Sequence, residues 1–324
     1  MIENPIFIVG SERSGSNLLR RLLNNMPGIC VPHPPHLMRD LGPLVGRYGD
    51  LTVDLNFRTL IRDAIRLVEL HFAHWPVVLE EDLAFRQAPR RDLYSVYAAL
   101  YEQYRRNKGK RRWACKSTFM IEHISQILSH HAHPQFIHLV RDARAVAASA
   151  RRSVFSNYHP YYVAQRWRRE QQLGITASHE LSSNTWLTVK YEDLLAQPTQ
   201  EIQRIADFLH ESLGPRPLRS PTAQKHHDPF TTLLKPSEIA LMEMVAGPQL
   251  QHFNYHLAGS PRSHNVPWSE RLRYGISESW LTLASEMQAL HHDRKMRERL
   301  RKKAFLWSLR FRLPLELTAK PPYP

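Results

Sequence analysis

Apolar residues fill Ile6 to Val9 without interruption, a run that suits a strand buried on both faces of a parallel sheet. After a short stretch bracketed by Gly10 and Gly15 the period changes. Leu18, Leu19, Leu22, Leu23 and Met26 recur at helical spacing, with Arg20 and Arg21 on the opposite face, and Pro27-Gly28 ends the pattern. Ile29-Cys30-Val31 reads as a second strand that opens into the rigid segment Pro32-His-Pro-Pro-His36. Helical patterns occupy Leu55 to Trp75 and Asp92 to Arg106, and together they read as an insertion over about 50–110. Arg112 to Ser117, Gln135 to Val140 and Trp186 to Val189 read as further strands. Helices are expected around Ile121 to Leu128, over the alanine-rich Arg141 to Ser149, from Tyr162 to Leu181 and from Pro198 to Leu213. Strands alternating with helices predict an α/β fold with a doubly wound, mostly parallel sheet flanked by helices.

A strand, a glycine-bracketed loop and a helix start form an anion site, because free backbone N–H groups and the positive end of the helix dipole point into the loop. Phosphate or sulfate is the expected guest. A nucleoside-triphosphate loop requires Lys-Ser/Thr directly after its second glycine, whereas Ser16-Asn17 follow Gly15 here. The cation sits earlier, at Arg13, and Ser14, Ser16 and Asn17 add hydrogen-bond donors. The segment ending at His36 falls at the C-terminal end of the second strand, where ligands of open α/β sheets gather.

The 324 residues suffice for a large core, and 42% hydrophobic content fits a soluble globular chain. Met1-Ile-Glu-Asn-Pro has no basic leader before an apolar core, and no apolar stretch is long enough to span a bilayer, so a cytoplasmic location is expected. Two cysteines, Cys30 and Cys115, are too few for a disulfide framework and agree with a reducing compartment. The net charge of +14 implies anionic ligands or partners, but much of it is local. Arg294 to Arg312 holds nine Lys or Arg against Glu298 alone, a net +8, with Met296, Leu300, Ala304, Trp307 and Phe311 along one helical face. The chain thus divides into a body over 1–290 and a basic amphipathic extension over 291–324. The bland reading packs that extension's apolar face on the body; the alternative docks an acidic carrier, partner or membrane surface. Lys225-His226-His227 offers a minor metal candidate in a loop rich in proline and histidine.

Two motifs make the chain resemble the sulfotransferases that use 3′-phosphoadenosine 5′-phosphosulfate (PAPS). Phe7-Ile-Val-Gly-Ser-Glu-Arg-Ser-Gly-Ser-Asn-Leu-Leu19 is similar to that family's 5′-phosphosulfate loop. Leu139-Val-Arg-Asp-Ala-Arg-Ala-Val-Ala-Ala-Ser149 is similar to its 3′-phosphate motif, an arginine at a strand end with a serine eight residues later. Weaker likenesses follow in order at Trp113-Ala-Cys-Lys-Ser-Thr118 and Tyr191-Glu-Asp-Leu194. Departures are Glu12 for a usual proline, Ser16-Asn17 for threonines, Ala143 for a frequent proline and Ser117-Thr118 for Thr-Pro.

The resemblance implies a P-loop nucleotide-kinase-like fold and sulfuryl transfer from PAPS to an acceptor hydroxyl or amine, leaving the 3′,5′-bisphosphate product, PAP. It assigns Arg13, Ser14, Gly15, Ser16 and Asn17 to the 5′-phosphosulfate, Arg141 and Ser149 to the 3′-phosphate, Tyr191 to the neighbourhood of the adenine, and Lys116 to the donor sulfate. It also implies a base shortly after the second strand, where His33 and His36 stand, with His36 preferred. No metal is expected, since cationic side chains can do what magnesium does in kinases. A P-loop kinase or other ATP-dependent phosphotransferase is the enzyme alternative, and a basic nucleic-acid- or membrane-binding module is the alternative from another class. Nucleic acid is disfavoured because no reader motif is present.

Overall fold

In the computed structural model, residues 4–152, 159–214, 230–259, 267–277, 279 and 294–312 are described, the last segment with side chains from residue 298 onward. The Lys225-His226-His227 cluster lies outside the described residues. Five strands, β1 (Ile6–Gly10), β2 (Ile29–Cys30), β3 (Arg112–Cys115), β4 (Gln135–Val140) and β5 (Trp186–Lys190), form one parallel sheet in the order β2-β3-β1-β4-β5. From central β1 the strands spread to β3 and β2 on one side and to β4 and β5 on the other. The switch point, where α/β sheets bind their ligands, therefore lies at the C-terminal end of β1.

Strand alternation divides the core. Ile6 and Ile8 face one side with Ala114 and Ile137, while Phe7 and Val9 face the other with Trp113, Cys115 and Phe136. The first side is covered by α1 (Ser16–Leu23) and, after α2 (Leu37–Leu41) to α9 (Tyr191–Ala196), by α10 (Pro198–Leu209). The second side is covered by the segment read as an insertion, whose helices are α3 (Asp54–Glu69), α4 (Glu81–Gln87) and α5 (Leu93–Asn107). On this side Phe7, Phe136 and Trp186 share one register level of β1, β4 and β5 and pack ring against ring at 5.6 and 5.7 Å. Trp113 of β3 meets Phe7 edge-on at 5.5 Å. A third cluster joins α7 (Ala143–Arg151) and α8 (Pro160–Glu180) to α11 (Pro236–His252). Helix α6 (Ile124–His130) follows a 3-10 segment, Thr118–His123.

The C-terminal helix, Arg294–Arg312, packs on the body, but not by the face that its periodicity predicts. Leu309 is fully buried, and Phe305 and Leu306 pack against the same core cluster as α3 and α5. Lys302 ion-pairs with Asp40 at 2.6 Å and donates to the Pro35 carbonyl at 2.7 Å. Arg312 pairs with Asp63, a buried carboxylate of α3 that also accepts from Tyr48. The stripe Leu300, Ala304, Trp307 and Phe311 faces solvent instead. The helix has two apolar stripes, and the inward one is the stripe whose neighbouring cations find Asp40 and Asp63.

Candidate functional site

The loop after β1 is shaped by two glycines that no other residue could replace in place. Gly10 has φ of 133°, and a Cβ there would stand 2.4 Å from the Leu139 carbonyl oxygen. Gly15 has φ of 95°, and a Cβ there would enter the ring of Tyr191 at 2.2 Å. Gly15 is also the N-cap of α1 and supplies no side-chain cap, so the first amides of the helix remain available to an anion. Ser14 is fully buried, and its hydroxyl has no hydrogen-bond partner. A buried donor in that state costs free energy that an anion in the loop would relieve. Ser16 is buried at the first turn of α1, and Asn17 is exposed beside it.

The second motif meets this loop. Arg13 donates from Nε and Nη2 to Ser149 Oγ at 3.3 and 3.2 Å, across 136 positions of sequence. Arg141 donates from Nη1 to the Arg13 carbonyl at 3.0 Å, and its guanidinium lies 4.4 Å above the Tyr191 ring. Tyr191 thus touches both halves, packing on Gly15 with one part of the ring and carrying Arg141 on its face. Arg141 Nε is buried without a partner. Two arginines brought to one loop, with Ser14 Oγ and Arg141 Nε unpaired beside them, make a site whose chemistry would suit an anion.

The motif's other charges are structural. Asp142 caps α7 by accepting from the Arg144 amide, and Arg144 bridges Asp142 and Glu243 at 2.7 and 2.5 Å, fixing the helix that carries Ser149 to α11. Glu192 accepts from the Asp142 amide and from the Tyr255 hydroxyl, which anchors the segment that begins at Tyr191.

Lys116 follows β3 directly. Burial first, then Arg20, pulls its ammonium down to about 8, with Glu12 acting in the opposite direction. Its neighbour Ser117 connects to the candidate base, His36 Nδ1 lying 3.1 Å from Ser117 Oγ. Burial, followed by the charges of Arg39, Lys302 and Lys116, holds His36 well below the usual histidine range, so the ring is neutral at neutral pH. The His33 ring lies 6.5 and 6.1 Å from those of His71 and Phe72, His71 standing 6.4 Å from His36 as well, and the His33 carbonyl accepts from Trp75. Of the two histidines, His36 is the one joined to the Lys116 strand end. Arg20 of α1 and Asn24, which caps the end of that helix, hold the start of this segment through both backbone groups of Val31.

Arg13 and His36 both have left-handed backbones, with φ of 67° and 60°. Non-glycine residues seldom adopt that conformation, and it tends to collect at functional sites. Nothing in the spacing of the sequence could have shown it.

Glu12, the unusual member of the loop, sits between Arg39 and Arg166 at 3.8 and 3.6 Å. Sequence reasoning missed a second carboxyl here, Glu170 of α8. It lies in a cleft formed with Ser11, Arg13, Val146, Arg166 and Trp167, and burial pushes it up to about 8. Only the helical spacing Arg166-Glu170 pointed to it, and that spacing reads equally well as a surface ion pair.

Among solved structures the chain is similar to the sulfotransferase domain of the olefin synthase of Synechococcus PCC 7002, with 21% identity, a TM-score of 0.44, and coverage of 85% of this chain and 95% of that one. The sulfotransferase domain from the curacin biosynthetic pathway is similar at 20% identity and TM-score 0.46, covering 78% and 98%. A sulfotransferase from Mycobacterium avium matches at 15% identity and TM-score 0.46, covering 80% and 79%. No curated protein sequence matches significantly. The model of the sulfotransferase family matches residues 5–215, more than half of the chain and every residue of the site from Ser11 to Tyr191, and the chain belongs to the sulfotransferase family.

Proposed function

We propose that the protein transfers the sulfuryl group of PAPS to an acceptor hydroxyl or amine. The observation that carries this reading is the junction of the two anion-binding motifs, in which Arg13, Ser149, Arg141 and Tyr191 form one continuous surface. A donor with phosphates at both the 5′ and 3′ positions needs both halves at once, whereas ATP needs only the first. The loop also lacks the lysine after Gly15 that a kinase would use.

PAPS, when bound, supplies an activated sulfuryl group on a phosphate leaving group. Ser14, Ser16, Asn17 and the first amides of α1 hold the 5′ end, and Arg13 exchanges its contact with Ser149 for the ligand. Arg141 and Ser149 hold the 3′-phosphate. Lys116 faces the charge that builds on the leaving oxygen, where a buried cation is worth far more than in water. His36 takes the acceptor proton: with Nδ1–H donated to Ser117, Nε2 keeps a free lone pair. In this displacement the acceptor oxygen or nitrogen bonds to sulfur as the bridging S–O bond breaks. The electron pair leaves with the phosphate of PAP, and the proton leaves on His36.

Thermal unfolding with PAP, compared with ATP and magnesium, tests the donor. At ~100 times its dissociation constant, PAP should add roughly 2.7 kcal/mol of stability. ATP with magnesium stabilising the chain while PAP does not would overturn the reading. Because Arg13 and His36 are left-handed, asparagine is the better probe at both positions. Arg13→Asn and Arg141→Gln should weaken PAP binding. His36→Asn should leave PAP binding intact and lower turnover by roughly 10²–10⁴.

A further inference from the structure

The C-terminal helix spends its inward face on Asp40, Asp63 and the core, and its outward face still carries large apolar groups. Leu300, Trp307 and Phe311 are 36, 64 and 70% exposed, and the Trp307 and Phe311 rings touch at 4.4 Å between centroids. The stripe runs about 16 Å from Leu300 to Phe311. Exposed Lys303 and Arg310 border it on one edge and Arg301 on the other, and between them the outward face holds no acidic residue. An aromatic and aliphatic stripe set between basic rows is the composition of a helix lying in a bilayer interface, where rings enter the acyl boundary and cations meet lipid phosphates.

A second stretch has the same character. Residues 268–277 are helical and expose Trp268, Leu272 and Ile276 by 78, 60 and 56%, at successive four-residue steps. No helix of the described residues is long and apolar enough to cross a membrane, so the chemistry is that of a surface contact. A second copy of the chain is a poor occupant, because two helices of this charge would repel each other across the contact.

We propose that the outward face of the C-terminal helix docks this protein on an anionic membrane surface. The full chain should co-sediment with vesicles of phosphatidylglycerol and phosphatidylcholine in equal parts, but not with phosphatidylcholine alone, and binding should fall as salt rises. The double substitution Trp307→Ser/Phe311→Ser should weaken vesicle binding about tenfold or more without changing the unfolding temperature. Lys303→Gln with Arg310→Gln should weaken it about thirtyfold. Equal binding to neutral vesicles, or binding indifferent to the aromatic pair, would overturn the proposal. So would affinity for duplex DNA in place of vesicles, or a dimer that dissociates when Trp307 and Phe311 are replaced.

Discussion

At Lys116 the protein holds an ammonium whose proton leaves near pH 8, because burial and Arg20 both oppose its charge. A bound anion reverses that balance and returns the lysine toward its ordinary value near 10.4. The sign follows from proton counting. Below pH 8 both free and bound forms carry the proton, and affinity is independent of pH. Above pH 8 the free lysine is neutral and binding must take up a proton, so PAP affinity should fall by up to about tenfold per pH unit until the bound lysine also titrates. Calorimetric titrations in buffers of different ionisation heat would show this uptake, and Lys116→Met should abolish the slope while weakening binding at pH 7. Neither Lys116's burial nor the left-handed backbones of Arg13 and His36 was legible in the sequence. Residue type and motif spacing identify who stands at a site, whereas exposure and φ depend on what the rest of the chain packs there.

Among the elements, the C-terminal helix acts on the candidate base from a distance. Lys302 holds the Pro35 carbonyl and Asp40, one residue before and four after His36, while Arg39 and Lys116 add their charges around the same ring. Lys302→Met removes one of those charges and leaves Asp40 with Arg39 alone. The acid limb of kcat/KM should then move to higher pH, because the imidazolium is less opposed. Stability should fall by about 2 kcal/mol, because the buried Asp40 carboxylate loses one of its two cationic partners. A helix that served stability alone would lower the unfolding temperature without moving the limb. This element also shows where periodicity misleads. Its most conspicuous stripe, with Trp307 and Phe311, faces out, and the less regular one with Leu309 faces in, because the choice was made by two aspartates more than 200 positions earlier.

For the molecule as a whole, the strands were legible because apolar runs bounded by turns leave little choice in a parallel sheet. The strand Gln135–Val140 is found as the pattern predicts, and the helix expected over Tyr162 to Leu181 begins only two residues earlier. The ring packing of Phe7, Phe136 and Trp186 was not legible, since register between strands appears only when the sheet is assembled. It lies at the centre of the fold, so Phe136→Ala should cost about 3–5 kcal/mol and lower the urea midpoint without changing the slope. Lys302 reaching Asp40 has a consequence in time as well as in space. A ribosome adding about 5–20 residues per second makes Asp40 tens of seconds before Lys302. In the later part of that interval, once Tyr191 has been made, the nascent chain holds both halves of the candidate anion site, but the segment bearing His36 still lacks its clamp. The candidate anion site can therefore form during synthesis, whereas the candidate base is clamped only when the last helix arrives.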